Sequence, residues 1–297
     1  MRFATITRTI PFVLAGLLLL ASASLAAAGV ESLLRPASGS VLFVSKANGS
    51  NSNPGTREAP LANLDRAISR AAAGDTILVA EGVYNGTFDI GFLESDKPLR
   101  LYGGFAPDFS SRDPQAHPTR IQPDNASAAK SRKTLLTFTR QIHGIVVDGF
   151  VFDMGQRNAY HAVEGKPTGV ESGRLLLPPE RSGGDNPTVT EPCLAIPSAA
   201  AGGDVLIQNN VFVNCAKFAI QAGLRSGSLR ILDNVFVANR MAAIEAYGTC
   251  AGGSGPGAAV SCGRVEIAGN VILFSWSRTK ELKDMGYGVR VMTKLEY

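Results

Sequence analysis

Large aromatic side chains are scarce in this chain of 297 residues: they make up 7% of it, with one tryptophan, and histidine occurs only three times. So few rings suit small packed layers and tight turns better than a helical bundle. His117, His143 and His161 share no spacing, which leaves a histidine metal cluster without support. The four cysteines contain no Cys-x-x-Cys pair and have no histidine near them, so a zinc site is not expected. There is no run of Lys or Arg, so the basic footprint of a nucleic-acid binder is missing. Beyond residue 28 no stretch is long and apolar enough to cross a membrane as a helix.

What is present begins with a leader. Arg2 and Arg8 form a basic start, Ile10 to Ala21 a short apolar run, and Ala26-Ala27-Ala28 a small-residue cleavage site. This is the pattern of a secretory signal peptide over residues 1–28. Its removal takes two arginines and no acids, so 29 basic residues become 27 against 25 acidic ones, a net charge of +2. The protein is expected to be secreted, periplasmic or at the cell surface. In such a compartment disulfides persist. Cys193, Cys215, Cys250 and Cys262 allow three pairings; Cys193 with Cys215 and Cys250 with Cys262 is favoured, the second closing a Gly-rich excursion.

Hydrophobic residues are 45% of the chain, and in the second half they are arranged in a repeat. Val205-Leu206-Ile207-Gln208-Asn209-Asn210-Val211-Phe212-Val213 aligns without a gap on Leu229-Arg230-Ile231-Leu232-Asp233-Asn234-Val235-Phe236-Val237, an offset of 234 − 210 = 24. A third copy, Val265 to Ile272, follows at 270 − 234 = 36, and a fainter one runs from Ile145 to Phe152. Each unit has two β-branched runs around a polar corner and cannot bury its own apolar face. Stacked as coils, the units share one continuous core. The expected fold class is all-β, a right-handed parallel β-helix. Asn210, Asn234 and Asn270 fall in one column and are expected to form a structural Asn ladder at an inward corner.

In the first half, residues 60–73 place Leu61, Leu64, Ala67, Ile68 and Ala71 on one helical face, and Gly74 follows as a stop. One helix ahead of a stack of strands implies a cap on the first coil. The expected organisation is a signal peptide at 1–28, an N-terminal segment with the capping helix at 29–75, and β-helix coils over 76–297. Gly288-Val289-Arg290-Val291 matches the earlier Ala219 and Ala243 strands and no capping unit follows it, so the solenoid is expected to lack its C-terminal end.

The blocks Val44 to Thr56, Ala59-Pro60-Leu61, Ala73-Gly74-Asp75-Thr76-Ile77 and Glu81-Gly82-Val83-Tyr84 resemble the opening of exported bacterial right-handed parallel β-helix proteins of the pectate-lyase-like superfamily. Tyr102-Gly103-Gly104-Phe105 with Ser111-Arg112-Asp113-Pro114 is similar to a block of its uncharacterised cell-surface subgroup. The resemblance implies the fold and polysaccharide as the partner. The catalytic blocks of the polygalacturonase, pectate lyase and alginate epimerase branches are absent.

β-Elimination from a uronic acid needs a base near the C5 proton and a cation or metal on the carboxylate. Arg240, Lys280 and Arg290 are the catalytic candidates. Asp148 and Glu245 are the candidate metal ligands, with Ca2+ the metal if the protein is a lyase. Aligning the coils puts Gln221, Glu245 and Arg290 in one outward column, with Tyr247 nearby as a stacking surface, so Gln221, Glu245 and Tyr247 are the candidate substrate-binding residues. Three readings follow: a polysaccharide-associated protein, a lyase of uronic-acid-containing glycans, or a non-catalytic surface or adhesion protein.

Overall fold

The computed structural model describes residues 33, 38–85, 93–123, 134–139, 144–154, 192–196, 203–215, 217–224, 226–252, 260–275 and 286–296. It is a parallel β-helix. Three sheets form the faces of the coil. The first has seven strands: Val41–Val44, Thr76–Ala80, Arg100–Phe105, Ile145–Asp148, Val205–Gln208, Ser228–Leu232 and Arg264–Ala268. The second has six: Gly82–Tyr84, Thr119–Ile121, Phe150–Asp153, Val211–Val213, Val235–Val237 and Val271–Leu273. The third stacks Leu93–Ser95, Leu136–Phe138, Leu194–Ile196, Phe218–Leu224, Ala242–Gly252 and Tyr287–Glu296 in parallel. Leu194–Ile196 supplies an extra rung between Leu136–Phe138 and Phe218–Leu224.

The register equals the alignment read from the repeat. Val205 pairs with Leu229, Leu229 with Val265, and Ile145 with Val205. Alternate residues of each strand turn inward, so Val205 and Ile207 are buried beside half-buried Leu206 and Gln208. Phe152, Phe212 and Phe236 stack in one inward column, with ring centroids 4.8 and 5.1 Å apart and ring planes within 5° and 7°.

The corner between the first two sheets carries the asparagines. Asn210 Nδ2 donates to Asn234 Oδ1 at 3.0 Å, and Asn234 Nδ2 donates to Asn270 Oδ1 at 3.0 Å. Each side chain also serves the backbone: Asn234 Nδ2 donates to the Ile207 carbonyl, and its Oδ1 accepts from the Asn210 N–H. The left-handed residue of the corner is the preceding one. Gly149, Asn209, Asp233 and Gly269 have φ of 82°, 55°, 54° and 68°. These residue types carry the smallest cost in that region. The turn is thus made one residue before the ladder position, whose side chain points inward.

The helix is shorter than the apolar periodicity implies, Leu64–Arg70 rather than 60–73. Leu61 pairs with Val44 as a β-bridge, and its N–H donates to the Phe43 carbonyl, so the backbone is committed before the helix starts. Past its other end, Lys97 Nζ donates to the Ser69 and Ala71 carbonyls, which stabilises the helix terminus. Asp75 then accepts from the Ala72 and Ser40 N–H groups and ties the segment to the first sheet. Leu64, Ala67 and Ile68 pack into the main core and cover the first coil. One strand, Val41–Val44, lies ahead of the helix in sequence and adds to the first sheet.

The Tyr102-Gly103-Gly104-Phe105 block has a packing reason. A Cβ on Gly103 would lie 2.6 Å from the Gly149 carbonyl oxygen, so only glycine lets these two coils approach. The segment after Phe105 folds back over the first sheet. Arg112 donates to the Gly103 carbonyl and to Asp148 Oδ1, and its guanidinium lies 5.6 Å from the Tyr102 ring centroid. Burial, then the Asp148 charge, pushes the Tyr102 hydroxyl above its usual range.

Cys193 and Cys215 form a disulfide, their Cα atoms 5.6 Å apart. Cys250 and Cys262 stand opposite each other in an antiparallel ladder beyond the third sheet; their side chains lie outside the described residues. Val289 and Val291 continue the inward columns of Ile244 and Ala246 but are 41% and 58% exposed.

Candidate functional site

The third sheet sets its side chains by strict stacking. Gln221 pairs with Glu245 and Glu245 with Arg290, while the flanking Ile220, Ala222, Ile244 and Ala246 are buried in the core. The three polar side chains therefore share the outer face. Gln221 Nε2 donates to Glu245 Oε2 at 2.6 Å, and Arg290 Nη1 lies 3.4 Å from Glu245 Oε1. One carboxylate is thus held between an amide and a guanidinium.

An open pocket of about 330 Å3 surrounds this column, lined by Lys217, Phe218, Gln221, Met241, Glu245, Tyr247 and Arg290. Its walls explain a departure from the outward position of Glu245. The Glu245 side chain is only 4% exposed, against 32% for Arg290. A carboxylate that has lost water is costly unless paired and hydrogen-bonded, which is the role Arg290 and Gln221 fill here. Lys217 Nζ sits 5.6 Å from the Phe218 ring centroid at the pocket wall. The lining then carries two cations and one compensated carboxylate, beside one phenol and two apolar side chains. A guanidinium has five donors, so Arg290 keeps donors for a second anion.

Lys217, Phe218 and Met241 were not singled out from the sequence. Lys217 and Met241 stand in the corners leading into the two strands, and Phe218 is the first residue of its strand. The signal that could have found them is the column itself, since each stands four residues before Gln221 or Glu245 or three before Gln221. Arg240, a catalytic candidate from the sequence, is buried. Lys280 lies outside the described residues, as do His143 and His161.

The metal candidates do not fit a cation. Asp148 Oδ1 accepts from Arg112 and Asn209 and its Oδ2 from Gln208, while both oxygens of Glu245 face Gln221 and Arg290. Donors of hydrogen bonds occupy the positions that Ca2+ would need, and oxygen ligands for it are not gathered at either residue. Among the described residues no group of three His, Cys, Asp or Glu side chains could hold a metal ion.

Comparison with known proteins points to the first coil rather than to this pocket. Residues 47–93 match a family model described as Protein of unknown function (DUF1565). The chain is also similar to the Uncharacterized protein YwoF of Bacillus subtilis (strain 168), 44% identical over 63 residues. Those residues are 21% of this chain and 13% of that relative, so the chain spans a small part of the relative's length. The family match covers the helix and the Gly74-Asp75-Thr76-Ile77 and Gly82-Val83-Tyr84 blocks, whose roles in the fold are the capped first coil and its first turn.

Proposed function

We propose that this chain is an exported parallel β-helix protein that binds an acidic polysaccharide along the outer face of its third sheet. The observation that carries the reading is the pocket in which Lys217 and Arg290 flank the Gln221–Glu245 pair. Strands of a sheet repeat every ~4.8 Å, so polar groups in one column form a ridge that an extended chain of sugars can follow. A uronate carboxylate would take the free donors of Arg290 and the Lys217 ammonium. Tyr247 offers a flat face with a polar tip, the usual combination against a sugar ring. The Cys193–Cys215 disulfide and the leader pattern of residues 1–28 support a location outside the cytoplasm.

Elimination chemistry has less support. The carboxylate of the pocket, Glu245, already has both oxygens engaged, which leaves Lys217, Tyr247 and Arg290 as the lining groups that could take the C5 proton. The test is a screen of the protein against pectate, alginate, glycosaminoglycans and a neutral glucan. Binding to the acidic polymers without an unsaturated, ultraviolet-absorbing product is the expected result. Equal binding to the neutral glucan, or none to any acidic polymer, would remove the reading, and product formation would replace it with a lyase.

A further inference from the structure

A second constellation lies outside the third sheet, where the first two coils meet the segment after Phe105. Glu81 occupies the turn between Thr76–Ala80 and Gly82–Tyr84, and its N–H donates to the Phe105 carbonyl. His117 closes a tight turn begun by Asp113, its own N–H donating to the Asp113 carbonyl. His117 Nδ1 is 2.7 Å from Glu81 Oε2, and His117 Nε2 is 3.4 Å from Ser111 Oγ. We infer that Ser111, His117 and Glu81 form an acyl-transfer site in which Ser111 is the nucleophile, His117 the base and Glu81 the group that orients the imidazole.

The protonation pattern follows from the partners. An ionised carboxylate only accepts hydrogen bonds, so Glu81 fixes the imidazole proton on Nδ1. In the neutral ring Nε2 is then an acceptor, and the Ser111 hydroxyl is the donor facing it. That is the arrangement in which a serine is activated by an adjacent base held by a third group. The Ser111–His117 contact is at the loose end of the range, and such contacts commonly tighten when substrate arrives.

The segment that carries Ser111 and His117 is anchored at several points. Phe109 is buried against Phe43, ring centroids 4.9 Å apart, and anchors the segment just before Ser111. Arg57 Nη2 donates to the Phe109 carbonyl, and Arg112 ties the residue after Ser111 to Gly103 and Asp148. Asp113 Oδ1 accepts from the Gln115 and Ala116 N–H groups and sets the turn that carries His117. A tether between the segment and the coil needs only the His117–Glu81 bond. The serine hydroxyl on the opposite ring nitrogen is not needed for it, and Ser111 is exposed while His117 is partly buried.

The step balances with water as the second reactant. Ser111 Oγ attacks an ester carbonyl carbon and its proton passes to His117 Nε2. The carbon–oxygen bond to the leaving alcohol breaks as His117 returns that proton to the alkoxide. Water then attacks the acyl-serine, giving a proton to His117 Nε2. The bond from carbon to Oγ breaks and the proton returns to Oγ. The loop's backbone bonding uses the Ser111 carbonyl, which accepts from the Ala106 N–H, and leaves the Ser111 N–H beside the reacting centre as a donor for the oxyanion. The substrate class is a carboxylate ester, which the exposed Ser111 can reach from solvent.

The test uses the whole chain with 4-nitrophenyl acetate and with a fluorophosphonate probe, the labelled residue being located by peptide mass. Phosphonylation at Ser111 and hydrolysis above the buffer rate are expected. Both disappear in Ser111→Ala and in His117→Asn, with unchanged circular dichroism. Glu81→Gln is expected to lower kcat by about 100-fold or more with KM unchanged, and Glu81→Asp to recover part of it. Absence of Ser111 labelling in the folded protein, or labelling that survives in folded His117→Asn, overturns the inference. A Glu81→Gln enzyme with unaltered kcat removes Glu81 from it.

Discussion

At the scale of single residues, the asparagine column shows how one side chain can serve two coils. Asn234 gives its amide hydrogens to Ile207 and Asn270 and accepts from Asn210 through its carbonyl oxygen. Replacing it with alanine leaves the Ile207 carbonyl and the Asn210 N–H buried without these partners. Asn234→Ala is therefore expected to destabilise the fold by about 3 kcal/mol in urea titration, and Asn270→Ala, at a partly exposed site, by clearly less. Equal effects would refute the burial argument. Asp113 is a second case. The N–H groups of Ala116 and Gln115 hold its carboxyl below the ordinary 3.8. A depressed folded value means that the charged form stabilises the turn above the unfolded pKa, and that this is lost as pH falls through the folded one. The difference in thermal midpoint between the wild type and Asp113→Ala should be full at neutral pH and shrink under acid. A difference that grows under acid would contradict the assignment.

At the scale of elements, the strands and their register were legible because stacking is repetitive. An in-register parallel pair puts like residues in one column, so an offset of 24 in sequence is the same fact as Val205 beside Leu229. The phenylalanine column and the asparagine column were visible for that reason. Helix ends were not. Leu61 satisfies the apolar period of a helix equally well when it forms a bridge to Val44, and no local signal separates the two. The buried state of Glu245 was hidden too: alternation assigns it outward, and only its neighbours in space, Met241, Tyr247 and Arg290, close around it. The Ser111–His117–Glu81 contact joins residues 36 positions apart outside the repeat, where periodicity carries no information. The disulfide is an element-scale restraint. It closes a separation of 22 residues between two neighbouring rungs, and a loop of that length corresponds to about 3 kcal/mol of stabilisation. The Cys193→Ala/Cys215→Ala double variant should lose about that much, measured by urea unfolding under oxidising conditions. An unchanged midpoint would mean that the third sheet already fixes these rungs without it.

At the scale of the molecule, the coil turns a set of weak outward positions into a rigid surface. The core takes its cohesion from side chains on all three faces, so the outer residues of the third sheet are free to differ from coil to coil without loss of the fold. In register order the described column reads Glu94, Thr137, Ala195, Gln221, Glu245 and Arg290, and its last three positions put an amide, a carboxylate and a guanidinium in one line. The fold alone permits many functions; the proposal of an anionic ligand rests on this line and on Lys217 beside it. Calorimetric titration of a uronic acid oligosaccharide into the wild type, Lys217→Ala and Arg290→Ala, each checked for unchanged circular dichroism, tests this most directly. Saturable binding by the wild type is expected, weakened at least about tenfold in each variant, as loss of a charge-assisted contact of ~1.5 kcal/mol or more requires. Wild-type affinity in both folded variants, or no binding by any of the three, would contradict it.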